Sequence, residues 1–385
     1  MGFITFLLLL SEADAQQSPC TSSFGLVSKT GIDLNGNNLY TDSFDSTDPT
    51  KSTNGQYEFF KRQPNGNIAI GGSLTNSVPN FGNANIYGVV FTGPSGSVTM
   101  GPNGSIGPTF SNPATSVSQA MADGWIGTNC LLYMPDVSLP PGLSSATPLG
   151  SINNTTTLNS GDYQASSISL VSTKTLTIQG NVRLYVTGNV NIAGNGEIVI
   201  LSGGSLQLYA AGSVAIAGNG VVNATGQSTS GRFYGLPSST AWSIAFLNQW
   251  IGIVWAPEAT LGLGGGDASG GFIASNITFN SSSRLHYDES LGIKVCSSAS
   301  GNGGVDGITG IGLTGSDASI SFPIASLRLY TLEYTGDLTA SNWTGLASTN
   351  TSSCTGEVIT VTDVGAGNLA QRFYRLRIHP QLLDP

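Results

Sequence analysis

Charge is scarce in this chain. Only 9% of its 385 residues are charged, with Lys+Arg 13 against Asp+Glu 22, whereas soluble domains average roughly 25%. No run of basic residues occurs, so the electrostatic footprint of nucleic-acid binding is missing and no nucleic acid partner is expected. Only two histidines, His286 and His379, are present, which excludes a His-rich metal site and leaves little material for His-based catalysis.

Cysteine is equally sparse. The four cysteines contain no C-x-x-C pair, which argues against a zinc knuckle and against a thioredoxin-type redox motif. In an exported protein they allow three disulfide pairings, among which the sequence does not choose, and unpaired buried thiols are the alternative. The four positions are Cys20, Cys130, Cys296 and Cys354.

No stretch suited to crossing a membrane is seen. The apolar run Phe3–Leu10 is far shorter than the about 20 residues that a spanning helix needs. Ala13-Asp14-Ala15 resembles a signal-peptidase site, although no Lys or Arg precedes the apolar run. We therefore interpret residues 1–15 as a signal-like leader, either weak or truncated, of a chain that is secreted or held at the cell surface.

The chain does contain an internal repeat. Residues 182–200 read VRLYVTGNVNIAGNGEIVI, and residues 206–224 read LQLYAAGSVAIAGNGVVNA. Apolar residues alternate within each unit, which favours strands, and the Gly-Asn-Gly of each unit supplies residues that tolerate a turn. Self-similarity at a fixed spacing is typical of solenoids. The repeat predicts coils stacked in register, with Leu184 over Leu208 and Ile192 over Ile216.

The fold class predicted is all-β: a parallel β-helix (solenoid) followed by a small β-sandwich-like C-terminal module. Short alternating strands bounded by Gly or Asn recur before and after the repeat, and Val117 to Ala122 is a candidate short helix. The predicted organisation is a leader at 1–15, N-terminal solenoid strands at 16–110, an irregular connector or cap at 111–160, the β-helix domain at 161–295, a Gly/Ser linker at 296–321 and the C-terminal module at 322–385.

Several strings in this order resemble a known family. They are Phe233-Tyr-Gly-Leu-Pro237, Trp255-Ala-Pro257, Leu261-Gly-Leu-Gly-Gly-Gly266 and His286-Tyr-Asp-Glu-Ser-Leu291, with Asp42-Ser-Phe-Asp-Ser-Thr-Asp48 and Asn83-Ala-Asn-Ile-Tyr-Gly88 upstream. Together they resemble a bacterial surface β-solenoid domain of unknown function that often lies downstream of PilX-like, type IV pilus-associated segments. The resemblance covers about residues 25 to 295. It implies a surface location and a structural role, and it implies no reaction.

The end of the chain resembles a different unit. Tyr330-Thr-Leu-Glu-Tyr334, Asn342-Trp343 and Arg372-Phe-Tyr-Arg-Leu376 look like a short β module that commonly terminates bacterial surface proteins. Within this module we expect Trp343 and Phe373 to be buried together.

His286-Tyr287-Asp288-Glu289 is the densest cluster of ionisable residues. A functional interpretation makes His286 a base or ligand with Asp288 or Glu289 nearby. The preferred interpretation is structural: the cluster caps the last coil and satisfies backbone groups there.

Asp42, Asp45 and Asp48 form a second acidic group. Their carboxylates suit calcium, but turn formation on the surface is the preferred interpretation. Neither a catalytic residue, nor a metal ligand, nor a cofactor-binding residue is assigned, and no cofactor is expected.

Three functions remain. The first is a non-catalytic structural or adhesive protein, secreted or at the cell surface, with cell-surface polysaccharide or other surface proteins as candidate partners. The second is a carbohydrate-active β-helix enzyme, a lyase or hydrolase, which needs carboxylates, or an acid with Arg or Lys, converging in a groove. The third is a type IV pilus-associated subunit. Trp242, Trp250 and Trp255 belong either to a binding surface or to the core, and the core is preferred.

Overall fold

A computed structural model describes residues 22–34, 39–71, 83–94, 96–280, 283–298, 308–323, 328–337, 343–350, 358–369 and 371–380. The protein is all-β, and its strands fall into one large parallel sheet and three small antiparallel ones. Strands β1 to β9 are Leu26–Leu34, Tyr40–Phe44, Ile68–Ile70, Asn85–Ile86, Val90–Thr92, Ser105–Ile106, Ile126–Gly127, Cys130–Leu132 and Thr147–Ile152. Strands β10 to β19 are Thr156–Leu170, Thr175–Val186, Val190–Ile192, Glu197–Ile200, Ser205–Ala210, Val214–Ile216, Gly220–Asn223, Gly231–Gly235, Ala241–Asn280 and Arg284–Asp288.

The remaining elements are shorter or lie at the end of the chain. Strands β20 to β26 are Cys296–Ser298, Gly310–Thr314, Asp317–Pro323, Arg328–Thr335, Thr344–Asn350, Val358–Asp363 and Phe373–Pro380. The helix α1 spans Val117–Ala122, as the sequence predicts, with the Ser116 side chain accepting a hydrogen bond from the Gln119 N–H. Short 3₁₀ helices are Phe59–Lys61, Leu143–Ser145, Ser228–Ser230, Glu289–Leu291 and Ala366–Asn368.

The two repeat units pair in register, as the sequence predicts. Strand β11 lies parallel to β14 with Leu184 opposite Leu208, and β12 lies parallel to β15 with Ile192 opposite Ile216. These four side chains belong to one buried apolar cluster. The odd and even positions of each strand therefore divide between the interior and the outside, as the alternation of the repeat requires.

Glycine is required where one unit turns directly above the other. Gly194 and Gly218 have φ values of 62° and 69°, which side chains with a Cβ rarely adopt. A Cβ on Gly218 would lie 1.9 Å from the Gly194 carbonyl oxygen, a severe overlap. The recurring Gly-Asn-Gly thus meets both a conformational and a steric requirement.

The N-terminal strands extend the same sheet instead of forming one of their own. Strand β1 pairs in parallel with β18 on one side and with β3 on the other. Strand β2 pairs in parallel with β19, and the pairing continues from β2 to β4 and from β3 to β5. The first strands of the chain therefore stack on strands from residues 241–288, so spatial order and sequence order differ.

The predicted irregular connector at 111–160 is regular near both of its ends. Helix α1 and strand β7 lie in its first part, β9 and the start of β10 lie in its last part, and these three strands belong to the large sheet. The segment between β7 and β9, residues 128–146, we call the strap. Its buried residues Cys130, Met134, Val137 and Leu143 pack in a second apolar cluster against Tyr209 and Trp255 on the outer side of the sheet. The strap thereby covers an apolar strip of the sheet that would otherwise face water.

A disulfide joins Cys130 of the strap to Cys296. The two cysteines lie on paired antiparallel strands, β8 and β20. This bond is one of the pairings that the sequence left open; Cys20 and Cys354 lie outside the described residues.

Two three-stranded antiparallel sheets form near the end of the chain, in the orders β21-β22-β25 and β24-β23-β26. Ile320 and Phe322 of one sheet and Tyr330 and Leu332 of the other are buried in a common cluster. The predicted linker at 296–321 is wrong over its last residues, because β21 and most of β22 lie there and Ile320 is core. Alternation in so short a Gly- and Ser-rich stretch gives little signal for strands.

The expected burial of Trp343 with Phe373 is also wrong. Both side chains are partly exposed, and Trp343 instead faces the Arg375 guanidinium, 4.3 Å from the ring centroid. We expected these two residues in the core because their aromatic side chains are large. The buried residues of this core instead come mainly from strands β22 and β23.

Candidate functional site

The cluster around His286 lies where the N-terminal strands meet the C-terminal strands of the large sheet. Strand β19 is flanked by β18 and β2, with Ser269 opposite His286 and His286 opposite Asp42. Two residues before His286 on β19, Arg284 lies opposite Asp267 of β18 on one side and opposite Tyr40 of β2 on the other. Three adjacent parallel strands thus present their ionisable side chains on one surface.

His286 and Asp42 form a buried pair. The imidazole Nδ1 lies 2.6 Å from Asp42 Oδ1, and the side chains are 1% and 0% exposed. The imidazole Nε2 lies 3.7 Å from Asp267 Oδ1, beyond hydrogen-bond distance but close enough for charge attraction. His286 therefore has a carboxylate on each side, from strands on each side of its own.

Aromatic rings seal this pair from solvent. The Tyr57 ring stacks on the imidazole at 3.5 Å between centroids, and its hydroxyl donates to Asp42 Oδ2 at 2.9 Å. Tyr40 meets the imidazole edge-on at 5.8 Å. Tyr57 belongs to the segment between β2 and β3, which therefore covers the cluster from outside.

Two arginines complete the cluster. Arg284 Nε lies 2.7 Å from Asp267 Oδ1, and Arg62 Nη1 lies 3.6 Å from Asp42 Oδ2. The Arg284 contact is an ion pair only, since Asp267 Oδ1 accepts no hydrogen bond of good geometry among the described residues. Arg62 is also packed between Phe59 and Phe110, with its guanidinium carbon 4.1 and 4.2 Å from their ring centroids.

The surroundings shift several pKa values. Burial by itself lowers the pKa of His286, but the carboxylates of Asp267 and Asp42 outweigh it, so that the pKa is raised overall. The interaction with His286 lowers the pKa of Asp267. Burial, and then the Asp42 charge, raise the pKa of Tyr57. Together these shifts favour an imidazolium between two carboxylates, which is a charge-balanced structural arrangement.

The cluster differs from both interpretations of the sequence. His286 is not at the end of the stack, because β2 covers β19, and its partners are Asp42 and Asp267 instead of Asp288 or Glu289. Asp288 does cap a helix, accepting from the Ser290 N–H, and it also accepts from the Ser46 N–H. The role of Asp42 was missed since nothing in the sequence indicates that residues 40–44 pair with residues 284–288.

The acidic trio is divided by the structure. Asp45 accepts hydrogen bonds from the Thr47 N–H and hydroxyl, and Asp48 accepts from the same groups of Thr50. The Thr50 hydrogen bonds lower the pKa of Asp48. Asp45 and Asp48 thus form turns, which is the interpretation preferred from the sequence, whereas Asp42 is buried with His286. Among the described residues no group of three or more His, Cys, Asp or Glu side chains is arranged to hold a metal ion.

Trp242, Trp250 and Trp255 are buried, in agreement with the core assignment preferred from the sequence. Trp250 and Trp242 belong to the interior cluster, whereas Trp255 lies under the strap. The Trp255 indole N–H donates to the Pro135 carbonyl at 3.3 Å, which fixes the strap to the sheet.

A second ionisable group was missed by sequence reasoning. Lys29 forms an ion pair with Glu258 and lies 3.8 Å from Asp136 of the strap. Burial and the nearby Glu258 raise the pKa of Asp136, while the bond to Lys29 lowers the pKa of Glu258. These residues are far apart in the sequence and share no motif, so only the stacking order brings them together.

A family model matches part of the chain. Residues 142–293 match a domain of unknown function, DUF7305. No curated protein matches. Among solved structures, the ice-binding protein from the Antarctic ascomycete Antarctomyces psychrotrophicus shares 15% identity over 69% of this chain and 94% of that chain, with a TM-score of 0.26. This likeness is too loose to support an inference about fold or function. In the described part of the chain, no helix has the length and apolarity needed to cross a bilayer.

Proposed function

We propose that this chain is an exported, non-catalytic structural protein whose parallel strands form a β-helix. The observation that carries the proposal is the state of the densest ionisable cluster. His286 and Asp42 are buried, paired with each other and covered by Tyr57, so they join strands and offer no surface to a substrate. A stack of strands held by many neighbour contacts suits a rigid spacer that presents other groups at a surface.

Export is supported by the disulfide between Cys130 and Cys296. Disulfides persist in oxidising compartments and are rare in reducing ones. The low content of charge and the leader-like start of the sequence agree with this location. Adhesion to cell-surface polysaccharide or to other surface proteins, and association with a type IV pilus, are extensions of the same proposal.

A carbohydrate-active enzyme is the second candidate, and one observation favours it. Asp136 and Glu258 are neighbouring carboxylates whose pKa values are shifted in opposite directions, beside Lys29. Divergent carboxylate pKa values are what an acid and base pair requires. Their ion pairing with Lys29 explains the same shifts without chemistry, and for this reason we place the structural role first.

Fractionation of the native host, combined with a polysaccharide depolymerisation screen on purified protein, tests both candidates. The structural proposal expects the chain outside the cytoplasm and no release of sugar fragments. A cytosolic pool would contradict export. Reproducible fragment release by the wild type that Glu258→Gln abolishes, and that Glu197→Gln leaves intact, would establish the enzyme instead.

A further inference from the structure

The large sheet ends in a strand edge that has no partner among the described residues. Strand β9 pairs with β10 alone, and Thr156–Asn159 of β10 pairs with β11 alone. Thr157 and Asn159 are exposed, as are the adjacent residues 153–155. Backbone N–H and C=O groups on the free side of this edge therefore face solvent, which is a template for pairing with another strand.

This edge has few of the features that normally prevent an edge strand from pairing with another chain. Natural edge strands are blunted by charged side chains, proline, bulges or a covering element. Pro148 and the register shifts between β9 and β10 protect the first half of the edge. From residue 137 to residue 161 the chain has no Asp, Glu, Lys, Arg or His, and Thr156–Asn159 is regularly paired on its inner side.

The opposite end of the sheet is covered. Ala114 forms an antiparallel bridge with Ile106 of β6, and Ala120 of α1 is buried in the same apolar cluster as Ile106 and Ile126. Head-to-tail stacking of copies is therefore blocked at one end, because the helix lies where the next copy would have to pair.

We propose that two copies of this chain associate tail to tail through the β9–β10 edge, with Thr156–Leu158 of each copy pairing antiparallel across a twofold axis at Thr157, so that the two Thr157 residues are directly opposite each other. A twofold arrangement uses the same surface on both copies and closes upon itself. The formal net charge of the chain is -9, but Thr156–Asn159 carries no charge of its own. Of its ionisable neighbours, Asp162 is paired with Arg183 and Lys174 donates to Asn154, so the pairing segments meet without direct repulsion between like charges. The inference goes beyond the proposed function, since it rests on strand pairing alone.

Sedimentation velocity of the purified full chain over a wide concentration range is the test. We expect a monomer–dimer equilibrium in the wild type and at least a tenfold weaker dimer for Thr157→Lys, because two lysines then oppose each other across the axis. Val222→Lys is the matched control. Val222 is in register with Thr157 through Thr177 and Val199, is also exposed, and lies away from the edge.

Thermal melts of all three proteins show whether the variants fold. Unchanged melting with loss of the dimer in Thr157→Lys alone supports the proposal. A wild type that stays monomeric at every concentration overturns it, as does equal loss of the dimer in both lysine variants. A ladder of species beyond the dimer would also overturn it, since a tail-to-tail contact cannot propagate.

Discussion

At the scale of single residues, His286 and Asp42 join parts of the chain that are 244 positions apart. The pair adds a charge-assisted contact between side chains to the backbone pairing of β19 with β2, and the stacked Tyr57 ring shields it from water. A buried ion pair contributes little net stability over an apolar pair, but it is strongly disfavoured when one partner is missing. We therefore expect the pair to favour docking of β2 on β19 over docking on a strand that offers no partner for Asp42.

Removing the imidazole is expected to destabilise the protein. His286→Ala leaves the Asp42 carboxylate buried without its main partner, a change that costs about 3 kcal/mol in comparable buried pairs. Urea unfolding measures the loss. Arg183→Ala is the control, because the Arg183–Asp162 pair is partly exposed and contributes at most about 1 kcal/mol. An unchanged unfolding midpoint for His286→Ala would show that the pair has no structural role.

Stability should also depend on pH through His286. Its pKa is raised in the folded state, so its contribution is fully present below the unfolded value of about 6.5 and is lost as pH rises through the folded value. Asp267 has the opposite pH dependence. Its pKa is lowered in the folded state, so its contribution to stability is lost at acidic pH, as the pH falls through the folded-state pKa of Asp267. Melting temperatures of the wild type and of His286→Ala, measured from neutral to alkaline pH, should converge. Parallel curves would contradict the assignment.

The interior positions of the repeat are expected to tolerate charge poorly. Ile216 is 2% exposed, and Ile216→Asp places an unpaired carboxylate among Val190, Ile192 and their neighbours. The expected loss is about 4 kcal/mol or complete failure to fold. Ala215→Asp is the matched control, because the adjacent side chain faces outward. Similar melting temperatures for the two variants would mean that the core face is wrongly assigned.

At the scale of elements, the strap does more than connect β7 to β9. It lies along the outer side of the sheet, where Tyr209, Tyr234 and Trp255 stand in register, and it shields this aromatic strip from water. The disulfide to Cys296 fixes the strap at the point where it leaves the end of the sheet that α1 covers. The strap and its disulfide thus fix the connection between β7 and β9, which is the first strand of the domain that the family model matches.

Loss of this disulfide is expected to lower stability without changing the fold. The bond closes a loop with a sequence separation of 166, and removing native disulfides typically costs about 2–5 kcal/mol. The double variant Cys130→Ser with Cys296→Ser, compared with the wild type by thermal melting and far-UV circular dichroism, measures the effect. Equal melting temperatures would indicate that packing of Met134, Val137 and Leu143 holds the strap unaided.

The elements that could be predicted from the sequence are those with a local signal. The register of the repeat units could be predicted because the same residues recur at the same positions of both units. The helix Val117 to Ala122 could be predicted because it follows a good capping serine. The pairing of β1 with β18 and of β2 with β19 has no local signal, because it depends on which strands remain unpaired once the later ones have stacked. For the same reason Asp42 and Lys29 could not be placed beside His286 and Glu258 from the sequence.

At the scale of the whole molecule, the chain builds one large sheet in an order that its sequence does not follow. The strands of residues 147–288 form the first part of the stack, and the N-terminal strands complete it from the other side. Strand β1 is consequently an inner strand although it comes first in the chain. The large sheet is therefore completed by strands from both ends of its sequence range, which suits the proposed role in presentation at a surface.

Hydrogen exchange of the folded protein shows directly whether the N-terminal strands are part of the large sheet. Amides of β1 are paired with β18 and β3, so they should exchange as slowly as those of β14 and far more slowly than those of the edge segment Thr156–Asn159 at low protein concentration. Residues near the start of a chain otherwise tend to exchange early. Slow exchange in β1 is therefore expected. Exchange of β1 at the rate of the edge segment, while β14 stays protected, would show that the N-terminal strands are not part of the stack.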